Sequence, residues 1–183
     1  MVAVFDVVWD FGGTANSPGT TEETLTNLRF QAEDTNDQDT AAPVVIVTAS
    51  TEFAFWKHIY LDNTTAPDTQ VDNVRIHTDG TLGWTGCVVR SGDGTQTKTS
   101  VSDAGYDPGQ ALVLTTHDTI SALTDFFTFT SGAPRTVSIS EAGNIINAIN
   151  EKCDYVVLQL EVTDTAVPGV QATETITWLY DEI

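Results

Sequence analysis

The chain has 183 residues and a formal net charge of −19, from 26 acidic residues against 7 Lys and Arg. Its 40% hydrophobic content is that of a globular chain with a core, and this length most often makes one domain. The charge excludes duplex nucleic acid as a natural partner, because phosphate binding needs clustered Lys and Arg; the longest apolar runs, such as Val44–Val47, are far too short to span a membrane.

Taken in order, Val2, Val4 and Asp6 alternate with Ala3, Phe5 and Val7, and Val8-Trp9 follow, which reads as a first strand. Residues 11–19 are built of turn residues and read as a loop, or as an arm that leaves the body. Leu28, Phe30 and Ala32 share one side of a strand within 21–32, followed by an acidic loop over 33–40. The β-branched run Pro43–Ala49 reads as a buried strand. Glu52–Leu61 is a strand with apolar residues on both faces, and Phe55 and Ile59 are expected in the core. A polar, Pro-broken connection leads to a second strand around Val74 and Ile76, closed by the Asp79-Gly80 turn.

Strands are next expected over 84–89, 111–115 and 123–130, with a turn at Ser91–Gly94. The Thr-rich stretch 95–101 reads as an edge strand or hairpin arm. Ser131–Pro134 is the single candidate break in the chain. Val137 and Ile139 alternate with polar neighbours. Glu141–Lys152 is the best helix candidate, with Ile145, Ile146 and Ile149 on one side, Ser140 as its cap and Gly143 weakening it. Val156, Leu158, Leu160 and Val162 mark a strand face, and Ile176, Trp178 and Tyr180 mark the last one. About ten strands and at most one or two short helices define an all-β, β-sandwich or jelly-roll-like single domain over 1–183, within which 1–19 is a candidate N-terminal strand and arm.

Chemistry is hard to find in this pattern. Cys87 and Cys153 form no C-x-x-C, so they are two free thiols or one disulfide. His58, His77 and His117 show no metal-ligand spacing, although the first two are expected on adjacent strands. His117-Asp118 invites a triad, but no nucleophile motif accompanies it. Asp34, Asn36, Asp37 and Asp39 resemble a calcium loop without its glycine or its closing Glu; an irregular cation site there, or at Asp103–Asp107, stays open. Among so many acids, carboxylate pairs have no specificity for a glycosidase. Trp9, Trp56, Trp84 and Trp178 are candidates for a sugar platform, but Trp on a sandwich strand more often packs in the core or an interface. No cofactor is expected.

Only Lys57, Lys98 and Lys152 are lysines, and Asp outnumbers Glu 17 to 9. This is either a merely acidic protein or one from a high-salt cytoplasm, where a Debye length of ~3 Å at 1 M screens such a shell from itself. The first residues, Met1–Asp6, lack the basic start of a secretory signal, so assembly in a cytoplasm is expected.

Two stretches carry a resemblance. In 56–80 it rests on Asn73, Arg75, Thr78, Asp79 and Gly80, and in 155–182 on Gln159, Val162, Thr165, Ala166, Pro168, Gly169, Tyr180, Asp181 and Glu182. Together they resemble β-rich structural proteins of tailed viruses, and with the acidic composition they point to a virus of a haloarchaeon. The resemblance implies a non-enzymatic virion component, such as a capsid decoration, turret or tail protein. It would bind other virion proteins, the major capsid protein among them, and copies of itself. It carries no catalytic residues. Apart from the resemblance, the start of the chain has two readings: a strand inside the same sandwich, or a terminus lying against a neighbouring copy or another virion protein, with Trp9 and Phe11 as the intermolecular contacts. The alternative is a carbohydrate-binding module or adhesin domain.

Overall fold

The computed structural model describes residues 2–22, 25, 27–35 and 42–183. The strands among them are β1 (Val4–Phe11), β2 (Thr20–Glu22), β3 (Thr51–Phe53), β4 (Lys57–Thr65), β5 (Val71–His77), β6 (Cys87–Gly92), β7 (Leu123–Asp125), β8 (Arg135–Thr136), β9 (Val156–Thr163) and β10 (Thr177–Glu182). Two antiparallel sheets result, and the protein is an all-β sandwich. The larger sheet runs β2-β1-β4-β9-β6-β7, with β3 also on β9. The smaller runs β10-β5-β8.

Strand β9 lies at the centre because its sequence is apolar on both faces. Val156, Leu158, Leu160 and Val162 face one way, and Val157 and Gln159 the other; all are buried. β4 pairs with its first half and β3 with its second, so the expected strand over 52–61 is really two pieces on one edge. Between them Ala54 still bonds β9 through Leu160, whereas the Phe55 amide turns to Gln31. That break moves Phe55 out of the core and puts Ala54 and Trp56 into it.

The smaller sheet packs on the Leu158 face. Val71, Val74 and Ile76 are completely buried, each worth about 1.5–3 kcal/mol over exposure. Val71 and Val74 share a face although three positions separate them. The register slips between Leu179 and Asp181, and Asn73 has φ 47°, so a bulge on β5 absorbs one residue.

Several expected elements take other forms. The run 43–49 forms no strand, and Val45 and Val47 are exposed; β-branched residues need a partner edge, and those of β9 are held by β3, β4 and β6. Residues 95–101 are not an edge but an inner layer, since Gln96, Lys98 and Thr99 are buried against polar groups of the larger sheet. The stretch 111–115 ends in a 3-10 turn, Leu114–Thr116, and 123–130 is a short strand followed by another, Phe126–Thr128. The helix over 141–152 is absent. Gly143 and Asn144 have φ of 81° and 58°, which a right-handed helix cannot hold, and only the 3-10 turn Ala142–Asn144 remains. Ile146 instead exchanges backbone hydrogen bonds with Val71, and the Ser140 hydroxyl bonds Asp154 rather than capping a helix.

The loop 11–19 is not a free arm. Asn16 donates its amide to the Tyr106 carbonyl, and Tyr106 donates its hydroxyl to Gly12. β1 itself lies between β2 and β4.

Candidate functional site

Two places concentrate features that can do more than hold the fold. The first is a buried polar layer on the face of the larger sheet opposite the smaller one. β1, β4 and the residue just before β9 put Asp10, His58, Tyr60 and Tyr155 side by side there, because Asp10 pairs with His58 and Val8 with Tyr60 across the β1–β4 register. The inner segment 95–107 closes over them with Lys98, Asp103 and Tyr106.

Asp10 is the hub. Its Oδ2 accepts from Lys98 Nζ at 2.9 Å and from the Tyr155 hydroxyl at 2.5 Å. Its Oδ1 accepts from Thr21 at 2.6 Å and from Tyr60 at 3.3 Å. Lys98 also reaches Asp103 at 2.5 Å and lies over the rings of Tyr60 and Tyr155. Burial, and then the negative charge of Asp10, pushes both tyrosine hydroxyls far above their ordinary pKa, so they act as proton donors.

Beside this hub His58 Nε2 and His117 Nε2 are 2.9 Å apart. His117 Nδ1 accepts from the Thr119 amide at 3.2 Å. With Nδ1 bare, the neutral His117 carries its proton on Nε2 and donates to His58. Burial lowers both pKa values: His117 to about 4, and His58 well below its usual range, helped by His117 and two nearby lysines. The expected neighbour of His58 was His77, but β4 and β5 lie in different sheets, and the His77 ring bonds the Thr78 carbonyl.

The second place is an apolar cavity of about 940 Å³ on the other face of the larger sheet, beside the smaller sheet. Ile59, Val89, Leu160 and Val162 form its floor, and Trp84 and Trp178 stand in its wall. Val45, Val167 and Val170 also line it while remaining exposed, the last at 93%.

Trp9 is completely buried inside its own chain, stacked on Phe11 at 4.3 Å with Lys57 Nζ 4.2 Å above its ring. This corrects the expectation of Trp9 as an intermolecular contact: the first strand is an interior strand, and Phe11 packs partly buried against the same core. Cys87 and Cys153 are both free, and burial pushes the Cys153 thiol up to about 12. Asp34 accepts from the Gly12 amide, while Asn36, Asp37 and Asp39 lie outside the described residues. Asp103 binds Lys98 and Tyr155, but the Asp107 carboxylate takes the Asp118 amide, so the two do not converge.

Sequence reading passed over Asp10 and Lys98. One signal was there: in a chain with three lysines and an acidic exterior, each lysine has a reason to be present. Lys57 and Lys98 are buried, and Lys152 pairs with Asp62 at 2.9 Å.

No protein-family model matches the chain, no curated protein matches its sequence, and no solved structure matches its fold.

Proposed function

We propose that the chain is a non-catalytic structural protein of a virion, of the capsid-decoration, turret or tail kind, which binds other virion proteins and copies of itself. The observation that carries this reading is the apolar cavity with Val45, Val167 and Val170 exposed around it. Clustered apolar side chains in water gain free energy when a partner covers them. The resemblance of 56–80 and 155–182 to structural proteins of tailed viruses supplies the kind of partner. The charge of −19 supplies the setting, since copies this acidic approach one another only where salt screens them.

The experiment is sedimentation of the full chain in molar potassium chloride, beside a variant carrying Val167→Glu and Val170→Glu. Concentration-dependent association that the double variant loses, with an unchanged circular dichroism spectrum, supports the reading. A chain that stays monomeric and is missing from mass spectra of purified haloarchaeal virus particles overturns it. The second reading, a carbohydrate-binding module, draws on Trp84 and Trp178 in the cavity wall. Retention on insoluble polysaccharide, lost on Trp178→Ala, would favour it.

A further inference from the structure

Asp10 and Lys98 stand 88 positions apart in sequence and in direct contact in the fold. Asp10 is 1% exposed and Lys98 6%, so the pair is shut off from water. A second carboxylate, Asp103 Oδ1, lies 2.5 Å from the same Lys98 Nζ. The Tyr155 hydroxyl touches both acids, at 2.5 Å from Asp10 Oδ2 and 3.3 Å from Asp103 Oδ1. The far oxygen of Asp10, Oδ1, holds the two separate donors Thr21 and Tyr60.

We propose that this is a self-condensing site, in which Lys98 Nζ forms an isopeptide bond to Asp10 Cγ and Asp103 carries the protons. The inference stands independently of the assembly role above. An ion pair needs one acid and one base. Here the base touches two acids, one of them held by donors at both oxygens, and the hydroxyl of Tyr155 links the acids. Those are the parts of an acyl-transfer centre: a nucleophile, a proton carrier, and donors aimed at the oxygen on which charge develops.

The step balances. Lys98 starts as an ammonium, and both acids as carboxylates. One proton leaves Nζ for Asp103 and reaches Asp10 Oδ2 through the Tyr155 hydroxyl, leaving a neutral amine beside a neutral acid. The amine lone pair attacks Cγ, and the negative charge that forms on Oδ1 meets Thr21 and Tyr60. Asp103 takes a second proton from the nitrogen and returns it to Oδ2, which departs as water. The C–N bond forms, the C–Oδ2 bond breaks, and Asp103 ends as the carboxylate it began as. No oxidant or outside reactant enters. Fixed contact replaces a bimolecular encounter, and the burial of Asp10 and Lys98 favours the amide over its hydrolysis. The product keeps its partners too: the amide N–H faces Asp103, and the carbonyl Oδ1 faces Thr21 and Tyr60.

The test is the intact mass of the full-length chain, denatured after purification, together with proteolytic mapping. The expected mass is one water below that of the linear sequence, with a branched peptide joining the Asp10 and Lys98 segments. Lys98→Arg keeps the charge without a condensing amine and is expected at full linear mass. Asp103→Asn keeps both reactants and is expected to remain linear. A wild-type chain at linear mass after prolonged incubation in molar salt overturns the proposal. So does a lost water that persists in Lys98→Arg without a branched peptide, because a succinimide at Asp79-Gly80 or Asp93-Gly94 has the same mass. Condensation of Asp103→Asn at the wild-type rate removes Asp103 from its role. The branched peptide is read on the wild-type chain, so a variant that misfolds does not obscure the answer.

Discussion

His58 and His117 meet nitrogen to nitrogen, Nε2 to Nε2 at 2.9 Å, although 59 positions separate them. The contact cannot survive protonation of both rings, since two imidazolium rings would place two donors and two positive charges against each other. Burial lowers the folded pKa of His117 from 6.5 to about 4. The unfolded chain therefore binds protons first as pH falls. Stability from this group is complete above about pH 6.5 and is lost progressively toward pH 4, by about 3 kcal/mol in all. Asp107 and Asp154, whose pKa values burial raises, act in the opposite sense. Urea unfolding of the wild type and His117→Gln across this range isolates the histidine part. The variant is expected to show the shallower slope; equal slopes would remove the account.

Removing residues 1–19 is expected to unfold the chain, because β1 is an interior strand of the larger sheet. The milder change Trp9→Ala should cost about 3–5 kcal/mol, the range for a large buried aromatic ring. Thermal melts followed by circular dichroism check both. A truncated chain that keeps its strand spectrum would reinstate the arm.

Gly105→Ala tests the inner layer. A Cβ at Gly105 would lie 2.2 Å from the Gln96 carbonyl carbon and 2.3 Å from the Thr97 nitrogen, both backbone atoms that cannot swing aside. A loss of at least about 1–3 kcal/mol follows from overpacking. The substitution also shifts the segment that holds Lys98, so Tm and cross-link yield should fall together. An unchanged Tm would mean that the layer is looser than the Gly105–Gln96 contact implies.

The acidic surface sets the salt response. Repulsion among unpaired carboxylates reaches ~10 Å at 0.1 M and ~3 Å at 1 M. The melting temperature is expected to rise as potassium chloride goes from dilute to molar. A flat or falling curve counts against the high-salt origin and leaves the fold untouched.

What could be read in advance follows a physical rule. Alternation located Val74, Ile76, Val137, Ile139 and the β9 face, because period-two burial is written locally. The turn motif Asn73-x-Arg75 was visible, but its partner was not: both side chains bond Asp181, with Asn73 Nδ2 at 2.5 Å and Arg75 Nη2 at 2.6 Å. That clasp joins the two stretches on which the viral resemblance rests. The run 43–49 and the helix over 141–152 misled for one reason. Local propensity was right in kind, but a β-branched run that pairs with no strand forms none, and a helix cannot hold two left-handed residues. The polar layer was hidden because Asp10 and Lys98 become neighbours only through a fold that spans 88 positions.

The central place of β9 has a consequence for synthesis. β4 and β6 meet only through this strand, which is made after both of them. A nascent chain leaving the ribosome therefore carries two unzipped edges from the completion of β6 onward and cannot close the larger sheet until Val156–Thr163 has emerged. Such non-local pairing makes folding slow and late. Until then, a charge of −19 opposes the joining of growing chains edge to edge.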